Sequence, residues 1–134
     1  MWVFEQSSGR MSDSLGRTLA DGYAGNGAGK NNPAMQNVHQ VGPLPVGLYT
    51  ILAPEEGHPT GPYTLPLVPD ATNVMFGRSE FRIHGDSLES PGNASDGCIV
   101  MPPEARRHIW ESGDHRLEVI ASTDQPVDLN LMES

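Results

Sequence analysis

Cys98 is the only cysteine in the chain, and it lies in the run Ser95-Asp96-Gly97-Cys98-Ile99, downstream of the pair His84-Gly85. These residue types are the parts of a cysteine nucleophile. A free thiol is weakly ionised at neutral pH, and an imidazole within reach takes its proton to give the reactive thiolate. Gly97 has no side chain, so it can hold a backbone conformation closed to other residues and turn its own N–H and that of Cys98 toward a developing oxyanion. The alternative is structural, with Cys98 as a small buried hydrophobe and His84 as a hydrogen-bonded residue of the interior.

Nucleophile chemistry needs the two segments side by side, and the local patterns are suited to that. Phe81-Arg82-Ile83 alternates into His84 like the end of a strand, and Cys98-Ile99-Val100-Met101 reads as a second short strand. Between them Asp86 to Ala94, with its Ser, Pro, Gly and Asn, is a polar loop able to arch over the site. Upstream, Pro43 and Pro45 stiffen an approach, Gly47 turns it, and Leu48 to Leu52 alternates as a strand. Trp2 to Gln6 is a further apolar run ending in a Ser7-Ser8-Gly9 turn. The one convincing helix follows Pro102-Pro103, runs from Glu104 to Glu111 and stops at Gly113. His115 to Ala121 alternates as a last strand, and Thr123 to Ser134 reads as a loose tail or extension. The expectation is a mainly β, β-rich α+β domain with one or two short helices.

A chain of 134 residues without repeats or an internal linker suits a single core. The net charge of −9 argues against nucleic-acid binding, since phosphate backbones are held by clustered Lys and Arg. No apolar run is long enough to cross a membrane, so no membrane insertion is expected. Met1 to Glu5 lacks the basic start and apolar core of a signal peptide, leaving either a removed signal or export without one. One cysteine forms no internal disulfide. Asn93-Ala94-Ser95 matches a glycosylation acceptor and is read as coincidence.

Two rival chemistries are weaker. Gly25 to Lys30 invites comparison with a phosphate-binding loop, but that motif requires glycine at Ala24 and a hydroxyl at Asn31. Zinc could in principle gather His84 and Cys98 with Asp96, His58, His108 or His115, yet no pair has C-x-x-C or H-x-x-x-H spacing. His39, His58, His108 and His115 read as surface or hydrogen-bonded residues, and neither metal nor cofactor is expected.

The segment I-H-G, a loop, then S-x-G-C-I resembles the signature of the L,D-transpeptidase (YkuD-like) catalytic domain, the cysteine enzymes that remodel bacterial peptidoglycan. Val41 to Ile51 is similar to the P-x-G-x-[YF]-x-I strand entry of those domains. Trp2 to Gln6, the Gly22 to Pro33 block and Met35-Gln36 resemble the small branch delivered by type VI secretion systems as antibacterial effectors. The resemblance covers about residues 2 to 121. It implies an L,D-transpeptidase-like β-sandwich or barrel over residues 1–121, with 122–134 as an extension.

The resemblance also implies roles. Cys98 attacks the third stem residue of a peptidoglycan tetrapeptide; His84 takes the thiol proton and passes it to the departing D-amino acid. Gly85 orients the imidazole through its carbonyl, Ser95 braces the turn, and the N–H groups of Gly97 and Cys98 hold the oxyanion. Two positions depart from the family, with Asp96 where histidine is common and Val100 where arginine is common. Asp96 would oppose thiol ionisation if it faced the sulfur, and hydrogen-bonds loop N–H groups if it points away. Arg82 is a stand-in for binding a substrate carboxylate, with a surface salt bridge as its alternative, and Tyr23 and Asp96 complete the substrate-binding candidates. The glycine-rich block from Gly22 to Gln36 either contacts substrate beside the cleft or is a connection pinned by Asn and Pro.

The thioester so formed has three fates: water gives L,D-carboxypeptidation, a D-amino acid gives exchange, and a diaminopimelate amine gives a 3-3 cross-link. Likeness to the effectors favours trimming and exchange in the periplasm of a target cell, with an immunity protein as partner. The alternatives are a housekeeping cross-linking enzyme, or a non-catalytic peptidoglycan-binding module using Tyr23, Tyr49 and Trp110.

Overall fold

The structure is a computed structural model and describes residues 1–57 and 61–123. In chain order its elements are β1 (Trp2–Glu5), β2 (Arg10–Ser12), β3 (Thr18–Asp21), β4 (Tyr23–Ala24), β5 (Gly47–Ile51), β6 (Glu55–Gly57), β7 (Gly61–Pro69), β8 (Arg82–His84), β9 (Ile99–Val100), α1 (Pro103–Glu111) and β10 (Arg116–Ile120). Single 3-10 turns lie at Gly27–Gly29 and Pro33–Met35. The described residues are therefore mainly β, as the sequence predicts. Residues 124–134, the body of the expected tail, lie outside the described residues, as does His58.

Alternation builds the core. Trp2 and Phe4 of β1, Tyr49 and Ile51 of β5, and Leu117 and Val119 of β10 each lie two apart on one strand and are buried. Ile83, Ile99, Met101 and Ile109 join them. Helix α1 starts on Pro103, whose missing N–H costs nothing there, and lays Ala105, Arg106 and Ile109 inward; Gly113 follows its end at φ +80°. Tyr49 is wholly buried and donates its hydroxyl to the Pro45 carbonyl at 2.6 Å, so it is not available as a binding contact.

The strands pair in the order β3-β2-β1-β10-β5-β7-β8-β9-β4, with β6 on β7. The two ends of that path, β3 and β4, are consecutive in the chain and separated only by Gly22. The two edges of the sheet are therefore brought together at one covalent link. Gly22 is required there. Its N–H donates to the Gly9 carbonyl at 2.7 Å, and a Cβ would lie 1.9 Å from the Val100 carbonyl oxygen.

Strand β7 is not marked in the sequence, because Pro62, Pro66 and Pro69 interrupt it. The prolines are tolerated because β7 changes partner along its length, pairing β6 at Thr64, β8 at Leu65 and Pro66, and β5 from Leu67 to Pro69. Pro66 needs only its carbonyl, which accepts the Leu52 N–H at 2.9 Å.

Candidate active site

Strands β8 and β9 run parallel, with Ile83 beside Ile99 and His84 beside Val100. Cys98, one residue before β9, thus falls alongside Arg82, with His84 two residues further along. The isoleucines turn into the core, whereas Arg82, His84, Cys98 and Val100 line an open cleft of about 1420 Å³. The pleat thereby brings the two residues singled out by type onto one wall.

His84 is buried, and its Nδ1 lies 2.8 Å from the Gly85 carbonyl oxygen. A carbonyl only accepts, so Nδ1 carries the hydrogen and Nε2 holds the lone pair. Burial pushes the imidazole below its ordinary value of 6.5, and the cations Arg106 and Arg82 push it the same way; the Gly85 carbonyl and Asp86 oppose them. Cys98 is half-buried, and its thiol faces the Glu80 carbonyl at 3.8 Å. Burial raises the thiol above its ordinary value, with Asp96 adding to the rise, and the Arg82 N–H and the charges of Arg82 and Arg78 only partly offset it. Both shifts favour neutral forms. At neutral pH the cleft wall therefore carries a thiol and a neutral imidazole rather than a standing ion pair.

The turn carrying the thiol is held from every side. Ser95 is buried, and its hydroxyl accepts the N–H groups of Gly25 at 2.8 Å and Gly97 at 2.9 Å while donating to the Cys98 carbonyl at 2.6 Å. The Ser95 carbonyl accepts from Asn26 Nδ2 at 3.0 Å, the Asp96 carbonyl from Arg78 Nη2 at 3.1 Å, and the Gly97 carbonyl from the Leu44 N–H at 2.9 Å. This corrects one expectation, since the Gly97 N–H is taken by Ser95 and does not point to an oxyanion. Glycine is needed at position 97 for another reason. Its φ is +137°, and a Cβ would lie 2.5 Å from Arg78 Nη2.

Arg78 is a structural member of the site that the sequence does not disclose. It is buried, and its guanidinium also donates to the carbonyls of Gln36, Pro43 and Gly42 at 2.7 to 2.9 Å, stitching the 36–43 segment to the nucleophile turn. Its side-chain hydrogen bonds all go to backbone oxygens scattered along the chain, so no local motif could announce it.

The glycine-rich block forms one flank of the site. Gly25 and Asn26 bind the Ser95 turn, Asn31 accepts the Ala24 N–H at 3.1 Å, and Asn32 caps the Pro33 turn. Tyr23 lines the cleft, but its hydroxyl is engaged with Asp86 Oδ1 at 2.5 Å and with the Ala94 N–H at 2.9 Å. Burial and the Asp86 carboxylate lift that phenol to about 12. Asp86 also accepts the N–H groups of Ser87 and Gly92, so it gathers the 86–94 loop.

Asp96 is exposed at the cleft and meets the Asn26 side chain at 3.5 Å rather than a backbone N–H. Arg82 donates to the Glu80 carbonyl at 3.2 Å, and among the described residues it has no salt bridge. The described histidines outside the cleft pair elsewhere. His108 packs edge-on against Trp2, and His115 stacks on Trp110 at 3.9 Å. His39 lines the cleft, with Nε2 at 2.7 Å from the Phe76 carbonyl oxygen. Among the described residues no group of three or more His, Cys, Asp or Glu is placed to hold a metal, and no helix is long and apolar enough to cross a membrane.

A family model, the Tlde1 domain, matches residues 18–122. The chain belongs to the Tlde1 domain family. That is a family of type VI secretion effectors of the L,D-transpeptidase kind. The matched Tlde1 region begins at β3, yet β1 pairs along β10 from Trp2 beside Leu117 to Glu5 beside Ile120 and is integral to the same sheet. No curated protein and no solved structure matches the chain.

Proposed function

We propose that this Tlde1 domain protein is a peptidoglycan cysteine enzyme that cleaves the L–D bond of tetrapeptide stems and acts as an antibacterial effector in the periplasm of a target cell. The observation that carries the reading is the shared cleft wall of His84 and Cys98, with the Gly85 carbonyl fixing the imidazole so that Nε2 is free to take a proton.

The reaction begins with a neutral pair. His84 Nε2 accepts the thiol proton as Cys98 Sγ bonds to the carbonyl carbon of the third stem residue, and the carbonyl oxygen becomes an oxyanion. The Cys98 N–H stabilises that charge; the Gly97 N–H, bound to Ser95, does not contribute. The carbon–nitrogen bond then breaks, the imidazolium gives its proton to the departing amine, and a thioester remains on Cys98. Water resolves it to a tripeptide, and a D-amino acid resolves it to an exchanged tetrapeptide. Trimming removes the terminal residue and exchange replaces it, so both alter the tetrapeptide stems available for cross-linking, and an immunity protein in the producer's periplasm is the expected partner.

The test is incubation of purified tetrapeptide muropeptides with wild type and with Cys98→Ala under reducing conditions, followed by mass spectrometry. Tripeptide and exchange products with wild type alone support the reading. Unchanged muropeptides with wild type contradict it.

A further inference from the structure

Beneath Gly85 lies a second buried arginine. Arg106 is 6% exposed, and its Nε donates to the Met101 carbonyl at 3.1 Å while Nη1 donates to the carbonyls of Pro62 and Tyr63 at 2.8 and 3.2 Å. Nη2 differs from these. It makes no hydrogen bond among the described residues, and it sits 2.9 Å from where a Gly85 Cβ would be, against the residue whose carbonyl holds His84. Arg106 also lines the cleft, and no carboxylate among the described residues pairs with it. Arg78 makes the contrast clear, since both of its terminal nitrogens are committed to backbone carbonyls.

A guanidinium fixed by three backbone carbonyls, with its remaining nitrogen unpartnered among the described residues at an open cleft wall, is a pre-positioned donor for an anion. Chemistry says where that anion would be. An α-amino acid carries its carboxylate on the carbon that bears its amine, so a leaving amine that takes its proton from His84 holds its carboxylate beside the imidazole. Two cations share the cleft with that imidazole: Arg106, against the adjoining Gly85, and Arg82, two residues before His84 on β8.

We infer that Arg106, together with Arg82, receives the α-carboxylate of the amino acid that leaves or enters at Cys98, and that Arg106 is thereby a specificity-determining residue. This rests on the function proposed above. Substrates are then stems with one residue beyond the scissile bond, and acceptors are free α-amino acids; a longer or amidated end presents no carboxylate there. Gly85 serves this arrangement too, because any side chain would displace Nη2.

The test compares a tetrapeptide muropeptide ending in a free acid with the same peptide ending in an amide, using wild type, Arg106→Lys and Arg106→Met. Wild type is expected to prefer the acid by roughly tenfold to a hundredfold in kcat/KM, the range of a hydrogen bond to a charged group. Arg106→Met should reduce that preference to about threefold or less, with Arg106→Lys between. A purely structural Arg106 would slow both substrates alike and leave the preference intact, which overturns the inference. Equal turnover of acid and amide by wild type overturns it without any variant, should Arg106→Met fail to fold. Turnover of neither substrate by wild type defeats the proposed function itself, and the inference with it.

Discussion

The Ser95 hydroxyl accepts the Gly97 N–H at 2.9 Å, so the serine of the nucleophile turn consumes a donor that the sequence motif assigns to substrate. The same oxygen holds Gly25 and the Cys98 carbonyl, which makes Ser95 the point where the glycine-rich flank and the thiol segment are joined. Replacing it strands two buried N–H groups at once. Ser95→Ala should lower stability by about 2–4 kcal/mol, on the scale of a few lost buried hydrogen bonds, and should cut turnover sharply. Urea unfolding beside a muropeptide assay checks this, and a loss under about 0.5 kcal/mol would remove Ser95 from the account.

The pH dependence follows from the two opposed shifts. His84 must be neutral to accept a proton, and its value lies below the ordinary 6.5, so activity should rise with pH through a midpoint under about 6.5. The thiol lies above its ordinary 9.0, so free enzyme should show no thiolate ultraviolet absorbance at neutral pH and should gain it only on the alkaline side of that value. A thiolate present at neutral pH, removed by His84→Ala, would mean a standing ion pair and would refute the neutral-pair mechanism.

Asp86 organises the loop over the cleft through Tyr23, Ser87 and Gly92. Its carboxyl is held below the ordinary value, with burial opposing and the Tyr23 hydroxyl and the Gly92 and Ser87 N–H groups prevailing. A depressed carboxyl stabilises the fold above its unfolded pKa and loses that contribution as pH falls through the folded one. Tyr23→Phe and Asp86→Asn should therefore raise KM by several-fold with a smaller effect on kcat, and Asp86→Asn should flatten the acid side of the stability profile. Unchanged KM in both variants would show that the loop does not shape binding.

Gly22 joins the two ends of the strand path, and a Cβ there would meet a backbone oxygen at 1.9 Å. Backbone cannot give way as a side-chain tip can. Gly22→Ala should cost at least about 3 kcal/mol, visible as a large drop in Tm or as failure to fold. A variant as stable as wild type would show that the two sheet edges do not meet so tightly at this residue.

Much of this was legible because it is local. The alternation before His84 and after Cys98, and the proline start and glycine stop of α1, depend on neighbours in sequence and were matched by β8, β9 and α1. What was illegible depends on distant backbone. Arg78 and Arg106 matter through carbonyls contributed by separate segments, β7 hides behind three prolines that only a change of partner permits, and the Gly97 N–H is taken by the hydroxyl of Ser95, which folds forward over two residues.

The central claim is that Cys98 forms the bond to the stem peptide. Its most direct test is intact-protein mass spectrometry of wild type mixed briefly with tetrapeptide muropeptide and quenched in acid. The account predicts an adduct with the mass of the tripeptide acyl group, mapped to Cys98, released by hydroxylamine and absent in Cys98→Ala. Product formation by Cys98→Ala, or turnover with no acyl group on Cys98, would contradict it.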